Sequence, residues 1–277
     1  MTRAIRPWRS ALTYLVLVVG ALFFLTPFAW MISTSLKTDA QVFAIPPEWL
    51  PTPAMWSNYL RLMTEIPFLR YLGNTVFVTL TSVAFYLASS AVVAYGFSRI
   101  RWPGREALFY CLLATMVLPP QVTLIPQFVL FQKLGWVGTF LPLIVPALTG
   151  SAFAVFLLRQ FYSAIPSDIS DSARIDGANE WQIFSRIVLP LSRPALATAS
   201  LFIFIWTWTD FLNPLIYLTD DRLYTLAIGL QQLASTRAAA WPLLMAGSLL
   251  MSLPVVVLFF FAQKTFIAGV STAAVKG

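Results

Sequence analysis

The residues best suited to chemistry or binding are concentrated in one stretch from Asp171 to Pro190, which reads DSARIDGANEWQIFSRIVLP. In and around it lie four acids and four bases: Asp168, Asp171, Asp176, Glu180, Arg159, Arg174, Arg186 and Arg193. Mixed charges of this kind favour contact with another polar surface, because complementary charges select the partner. Long apolar runs lie on both sides of the stretch. We interpret it as a binding surface that is exposed to water.

The chain does not offer the residues of a reaction centre. It has no histidine, and its single cysteine, Cys111, lies in an apolar run, so there is no disulfide framework and no metal-ligand spacing. A membrane enzyme would need a nucleophile with its base, or a metal cluster. The phosphate-loop pattern G-x-x-x-x-G-K-[ST] is also absent. We therefore predict that the chain is not an enzyme, binds no metal and holds no cofactor of its own.

The composition indicates an integral membrane protein. Hydrophobic residues make up 58% of the 277 residues and charged residues only 10%, whereas soluble domains are about 25% charged. The net charge of +7 could suggest nucleic acid as a partner, but the basic residues are scattered among short loops and form no basic face. We expect membrane lipid as a partner and no nucleic acid.

Six apolar runs are long enough to cross a bilayer, for which about 20 residues suffice. Lipid requires that backbone groups pair within a helix, so the predicted fold class is an all-α integral membrane protein with a single domain over residues 1–277. The predicted spans are 11–33, 71–97, 107–131, 137–158, 195–218 and 241–263. The predicted connections are an external loop over 38–69, a cytoplasmic loop over 159–194 and a tail over 264–277.

The distribution of lysine and arginine predicts the orientation, because cytoplasmic loops carry the excess of basic residues. A cytoplasmic N-terminus places twelve basic residues on the cytoplasmic side and six on the other. Both termini are therefore predicted to be cytoplasmic. Within the third span, Pro119, Pro120 and Pro126 are dense enough to break the helix into segments. The alternative is that these are ordinary prolines of a membrane helix.

Inside the charged stretch, the sequence predicts two short helices joined by a sharp bend. Ser167 is expected to cap the first helix, which should run to about Asp176. Gly177 permits the reversal of the chain, and Asn179 with Gln182 matches a capping box that opens the second helix. The two helices would form a compact knob that can enter a groove on a partner.

The same residues resemble the loop shared by inner-membrane permeases of ABC importers. The pattern of that loop is Glu-Ala-Ala, three residues, Gly, nine residues, Ile, one residue, Leu-Pro. The chain matches it at Ala173, Gly177, Ile187, Leu189 and Pro190. Asp171 and Ser172 stand where Glu and Ala are usual, and Asp keeps the charge on a shorter side chain. The segments ARIDGANEW and RIVLPL are similar to the carbohydrate branch, the maltose-permease type, and the resemblance covers most of the chain.

The resemblance implies the type I ABC importer permease fold, with the charged loop as a coupling helix docked in a cleft of an ATPase subunit. The ATPase-coupling candidates are Asp171, Ser172, Ala173, Asp176, Gly177, Ile187, Leu189 and Pro190. The C-terminal tail is also similar, which makes Ala274, Val275, Lys276 and Gly277 candidates for ATPase contact. A frayed terminus is the alternative for this tail. ATP and Mg would then be bound by the partner ATPase.

The family pattern implies further partners and a location. The partners would be a second homologous permease subunit, an ATPase dimer, an extracytoplasmic solute-binding protein and a small-molecule substrate. The location would be the inner membrane of the cell, crossed several times. The substrate would be a sugar or oligosaccharide, moved by alternating access, with glycerol-3-phosphate or a related polyol ester as the alternative.

Asp210 is the one acid within a predicted span. A charge near the bilayer centre costs about 2.5 kcal/mol or more unless it faces a partner or a polar cavity. We therefore predict a substrate pathway at Trp206, Asp210, Asn213 and Gln121. The alternatives are that Asp210 holds a helix pair or an external loop through hydrogen bonds and that Trp206 is an anchor at the membrane interface.

A self-sufficient, ion-coupled secondary transporter is the alternative from a different class. Such a protein is expected to carry several ionisable residues inside the membrane as a proton or sodium relay, and here only Asp210 qualifies. The charged loop, the similar tail and the missing phosphate loop favour a permease subunit whose energy comes from another polypeptide.

Overall fold

The structure, a computed structural model, describes residues 7–236 and 240–274, with side chains for residues 11–235 and 240–263. All regular elements within these ranges are helical, which confirms the expected all-α class. The chain forms two compact units, residues 1–68 with 229–253 and residues 69–228 with 254–277.

The helices follow one another with short connections. The first five are α1 Pro7–Ser35, α2 Asp39–Val42, α3 Ser57–Glu65, α4 Phe68–Ser98 and α5 Arg105–Thr115. The next five are α6 Pro120–Lys133, α7 Leu141–Ile144, α8 Ala152–Ala164, α9 Ser167–Ile175 and α10 Glu180–Ile183. The last five are α11 Leu189–Leu191, α12 Arg193–Trp208, α13 Leu212–Tyr217, α14 Leu226–Thr236 and α15 Trp241–Ala274. Val145–Thr149 and Asp221–Leu223 are 3-10 turns, and Phe184–Val188 is a π-helical turn.

Four described segments are long and apolar enough to cross a membrane: Ala11–Ser35, Phe68–Ser98, Leu141–Ala164 and Trp241–Gln263. Two further pairs of helices pass the same test but are bent. The bend is 95° between α5 and α6, and 77° between Glu180–Leu191 and α12. The described part of the chain therefore holds four candidate spans, or six when each bent pair counts as one.

Two breaks between helices lie near prolines, each of which removes a backbone donor. The predicted break at Pro119 and Pro120 is present, and Pro120 begins α6, whereas Pro126 lies inside α6 and does not break it. The predicted span 195–218 is not one continuous helix, because α12 ends at Trp208 and α13 starts at Leu212. Pro214 has no N–H to donate to the carbonyl of Asp210, so a helix cannot continue unchanged through this point.

Several elements of the second unit meet in an apolar core. Buried residues of α4 pack with buried residues of α8, of α10 with the π-helical turn after it, and of α12. They are Ala91, Ala94, Tyr95, Val155, Leu158, Tyr162, Ile183, Phe184, Val188 and Ala195. Helix α4 therefore lies directly behind the charged stretch and positions its second half.

In the first unit, the buried side-chain amide of Asn58 holds the segment that follows α1 in place. Asn58, which is 1% exposed, donates from its side chain to the carbonyls of Ser35 and Lys37, at 2.9 Å each. Lys37 is buried, and its Nζ lies 3.8 Å from the centroid of the Trp30 ring. The predicted external loop over 38–69 thus contains two short helices, and the second of them, α3, is tied back to the end of α1.

Gly247 is expected to be intolerant of larger side chains. An added Cβ would overlap Cδ2 of Leu230, which would have to shift, so Gly247→Val should overpack this contact and cost about 1–3 kcal/mol. The measurement is the temperature at which half of the purified protein aggregates in detergent. Gly73→Val is the matched control, because a Cβ at Gly73 would meet nothing within 4 Å. Equal losses in the two variants would contradict the overpacking explanation.

Candidate functional site

The bend of the charged stretch is a helix terminus closed by its own backbone. Gly177 has φ +85°, its N–H donates to the carbonyl of Arg174 at 3.0 Å, and the N–H of Ala178 donates to the carbonyl of Ala173 at 2.9 Å. These are the two bonds of a Schellman motif. The predicted reversal at Gly177 is therefore present, and it requires a backbone conformation that side chains other than glycine resist.

The second helix begins at the predicted capping box. The side-chain oxygen of Asn179 accepts the N–H of Gln182, and the side chain of Gln182 accepts the N–H of Asn179, at 2.9 Å each. The predicted cap at Ser167 is wrong: Pro166 occupies the position before α9, and Ser167 is already the first helical residue. The hydroxyl of Ser167 lies 3.5 Å from Oδ1 of Asp168 and caps no backbone group.

The ATPase-coupling candidates fall into two groups. Five are exposed: Asp171, Ser172, Asp176, Gly177 and Pro190. The other three, Ala173, Ile187 and Leu189, are half-buried, and Ala173 and Leu189 pack against the apolar core. Four residues of the first group lie at or just before the bend, and Pro190 lies further along the chain in α11. The second group shapes the knob from within. We use "the knob" for residues 167–191.

The two most exposed large apolar residues of the knob were missed by the sequence reasoning. Ile175 is 88% exposed and Trp181 is 65% exposed, one on each side of the bend. The sequence could have identified them, because both are large apolar residues in an otherwise polar run. Large apolar side chains in this position are typical of a protein interface, where a few of them carry most of the binding energy.

Charged groups connect the two helices of the knob. Arg174 donates to Oδ1 of Asp171 at 2.6 Å and to Oε1 of Glu180 at 2.9 Å. The hydroxyl of Tyr95 donates to Oε2 of Glu180 at 2.6 Å. The hydrogen bonds from Arg174 and Tyr95 lower the pKa of Glu180 below its ordinary value. Because this pKa is lowered, the bonds from Arg174 and Tyr95 to the Glu180 carboxylate are complete at neutral pH. They are lost only as the pH falls through that lowered pKa.

The second candidate site is a cavity of about 290 Å³ in the second unit. Three of the four predicted pathway residues, Gln121, Asp210 and Asn213, line it. Trp206 does not belong to the lining: it is exposed and its ring packs edge-on against Phe153, with 5.4 Å between the ring centroids. The structure thus brings three of the predicted residues together and leaves the tryptophan outside.

Helix α4 supplies hydroxyl groups to the cavity that the sequence reasoning did not identify. Thr75, Thr79, Ser82 and Tyr86 all line it. Their spacing of four, three and four residues places them on one face of the helix, and this periodicity could have been recognised in the sequence. The cavity wall therefore combines polar and apolar side chains, and Asp210 is the charged residue among the described ones that line it.

Asp210 also has a structural contact, which is local to its own stretch of chain and is not the predicted bond that holds a helix pair or an external loop. Its Oδ1 accepts the backbone N–H of Asn213 at 3.3 Å, and its Oδ2 accepts the side-chain amide of Asn213 at 2.8 Å. These bonds hold the first turn of α13. Asp210 can therefore face the cavity and stabilise the broken helix at the same time.

Substitutions of Asp210 separate these two roles. Asp210→Asn keeps an oxygen that can accept the N–H of Asn213, so we expect unchanged stability and a several-fold higher KM for transport. Asp210→Leu removes the acceptor as well, which should cost about 1 kcal/mol more in stability. Transport kinetics and thermal stability of the assembled complex measure the two effects. Wild-type transport in the Asp210→Asn variant would show that the charge has no role in transport.

Comparison with known proteins establishes the family. A family model described as "Binding-protein-dependent transport system inner membrane component" matches residues 87–272. The chain belongs to this family. The permease is 34% identical over 228 residues to the arabinooligosaccharides transport system permease protein AraQ of Halalkalibacterium halodurans, covering 82% of this chain and 81% of that protein.

Further relatives extend along nearly the whole permease. It is 30% identical to the lactose transport system permease protein LacG of Rhizobium radiobacter, covering 97% of each chain. It is 27% identical to the diacetylchitobiose uptake system permease protein DasC of Streptomyces coelicolor, covering 98% of each. A chain from the crystal structure of a bacterial ABC transporter involved in the import of alginate shares the fold, with a TM-score of 0.83 and 24% identity over 95% of the permease and 99% of that chain.

Proposed function

We propose that the permease is the membrane-spanning subunit of an ATP-driven, binding-protein-dependent importer of a sugar or oligosaccharide. The observation that carries the proposal is the knob, a preformed bend with exposed apolar residues, in a chain of this transport family. The energy comes from ATP, which with Mg is bound and hydrolysed on a partner ATPase. The permease itself is a translocating subunit and not an enzyme.

In this proposal the knob docks in a cleft of the ATPase subunit. Ile175 and Trp181 supply the apolar contact, and Asp171 and Asp176 supply charge around the bend. Nucleotide shifts the equilibrium between inward-open and outward-open states only by its different affinity for the two. Movement of the ATPase pair is passed to the spans through the knob. Of the tail candidates, Ala274 ends α15, whereas Val275, Lys276 and Gly277 lie outside the described residues.

The cavity supports a neutral sugar in preference to a phosphate ester. Among the described residues that line it there is no lysine or arginine, and Asp210 adds a carboxylate. A phosphate group normally requires a cationic donor, so glycerol-3-phosphate is the weaker alternative. The volume of about 290 Å³ lies at the lower end of ligand pockets, which are about 300–1,000 Å³. The cavity would hold part of an oligosaccharide at a time, in line with the sugars named in the relatives.

The proposal also includes the rest of the complex and its orientation. A second, homologous permease subunit would complete the pathway, and a solute-binding protein would deliver the substrate on the external side. The knob and both termini would face the cytoplasm, as the distribution of basic residues indicates.

Purification of the permease from its native membrane tests this function. We expect a phosphate-loop ATPase, a second permease and a solute-binding protein to be recovered with it, and the complex in liposomes to accumulate sugar only with ATP. The solute-binding protein, probed by calorimetry with a panel of neutral oligosaccharides and with glycerol-3-phosphate, identifies the substrate. Transport by the isolated chain in an ion gradient without ATP would overturn the proposal in favour of a secondary transporter.

A further inference from the structure

Tyr95 makes two contacts with the knob from near the end of α4. Its side chain is 5% exposed, and its hydroxyl donates to Glu180, the first residue of α10. Its ring lies 5.1 Å from the ring of Phe184, centroid to centroid, and Phe184 is the first residue of the π-helical turn. Tyr95 therefore holds both the start of the second knob helix and the start of the turn that follows it.

Helix α4 connects this contact to the cavity. It is continuous over 31 residues and contains no proline, so it can move as a rod. Thr79 and Ser82 on the same helix line the cavity, and the 16 residues from Thr79 to Tyr95 correspond to about 24 Å along the helix axis. A displacement of the knob that carries Tyr95 along must therefore also displace the wall of the cavity.

The hydrogen bond between Tyr95 and Glu180 is strong enough to transmit a displacement of the knob. It is a short hydrogen bond to a charged carboxylate, a class stronger than neutral hydrogen bonds. Arg174 fixes the other oxygen of Glu180 and also holds Asp171. The carboxylate is thus held from α4 on one side and from α9 on the other. A force on either helix of the knob reaches Tyr95 through Glu180.

The π-helical turn places a deformable segment beside this bond. π-helical turns are rare and frequent at functional sites, and this one joins α10 to α11 just before the 77° bend into α12. Without a second attachment, movement of the knob could be absorbed at this turn. The contacts of Tyr95 connect the knob to α4 directly, so the movement need not pass through the π-helical turn.

We propose that Tyr95, through its bond to Glu180, is the positioning residue that transmits movement of the knob to α4 and so to the cavity wall. This inference rests on the proposed function. It adds a second route for coupling beside the direct covalent route into α12. Tyr95 contacts neither substrate nor nucleotide in this scheme. It acts only by holding the knob in a fixed position relative to α4.

The test is the number of sugar molecules transported per ATP hydrolysed by the complete complex in liposomes. Tyr95→Phe keeps the ring against Phe184 and removes only the hydroxyl, and we expect this ratio to fall on the order of tenfold. Glu180→Gln should lower it as well, because the acceptor loses its charge. The double variant should be no worse than the poorer single variant, since each change by itself already breaks or weakens the bond between Tyr95 and Glu180. Tyr110→Phe, an exposed tyrosine of α5, is the control and should leave the ratio unchanged.

The outcomes distinguish this inference from the function on which it rests. If the wild-type complex shows no transport that depends on ATP, the proposed function fails. If wild-type transport is coupled to ATP and the Tyr95→Phe complex keeps the wild-type ratio, the role of Tyr95 is overturned. Losses that multiply in the double variant would also overturn it, because they would show that Tyr95 and Glu180 act separately. If the Tyr95→Phe complex does not assemble, the Glu180→Gln complex decides the question. An unchanged number of sugar molecules transported per ATP in that complex would also overturn the role of Tyr95.

Discussion

The Gly177→Val complex is expected to lose at least nine tenths of its transport and of its substrate-stimulated ATPase activity. An added Cβ at Gly177 would meet nothing within 4 Å, but φ there is +85°, a region that costs an L side chain about 1–2 kcal/mol. The bend relaxes by changing its backbone, so Ile175 and Trp181 are no longer presented together. Weakened association with the ATPase is expected to accompany the loss.

A second glycine provides a matched control for this variant. Gly104 has φ +86° and an equally open surrounding, but it lies in the connection before α5 and outside the knob. Gly104→Val should therefore cost similar stability and leave stimulated ATPase activity near the wild-type value. If an assembled Gly177→Val complex kept its stimulated ATPase activity, the bend would not be the coupling element. Equal losses in both variants would mean that backbone strain alone explains the effect.

The Ile175→Ala variant is expected to bind the ATPase ten- to a hundredfold more weakly. Full burial of an isoleucine side chain contributes about 1.5–3 kcal/mol, and each 1.4 kcal/mol is a factor of about ten in affinity. Ile175 is the most exposed large apolar residue of the knob, so almost all of its surface is available to a partner. Titration of the detergent-solubilised permease with purified ATPase measures the dissociation constant.

The control for Ile175 removes similar apolar surface elsewhere. Leu108 in α5 is 55% exposed and lies in a segment of membrane-spanning length, so Leu108→Ala should leave affinity for the ATPase unchanged. Ile175→Asp should weaken binding further than Ile175→Ala, because a carboxylate would be buried in an apolar contact. An unchanged dissociation constant in both Ile175 variants would place the docking surface elsewhere on the permease.

The local features of the knob could be predicted because each depends on neighbouring residues. A glycine at a helix end and an Asn-x-x-Gln pair specify a reversal and a capping box without help from the rest of the fold, and the structure confirms both. The predicted cap at Ser167 was wrong for an equally local reason. Pro166 has an extended backbone with ψ 136°, and the helix begins directly after it.

The cavity could not be predicted in full, because it is assembled from several elements far apart in sequence. Asp210 was recognisable as a lone acid in an apolar run, since an intramembrane charge needs a polar surrounding. Trp206 was not separable from Trp208 by sequence, and only packing assigns Trp208 to the lining. The hydroxyls of α4 gave a weak signal, because threonine and serine are common in membrane helices and can pair with their own backbone.

The closure of the knob by its own hydrogen bonds bears on how the transporter assembles. The Schellman motif at Gly177 and the capping box at Asn179 satisfy the free backbone groups before any partner arrives. Docking then orders few residues and loses little conformational entropy, so more of the contact energy appears as affinity. In the proposed complex, encounter with the ATPase would require no folding step of the knob, and differences in affinity between variants of the knob should appear mainly in the dissociation rate. The permease would then bring a preformed surface to this contact.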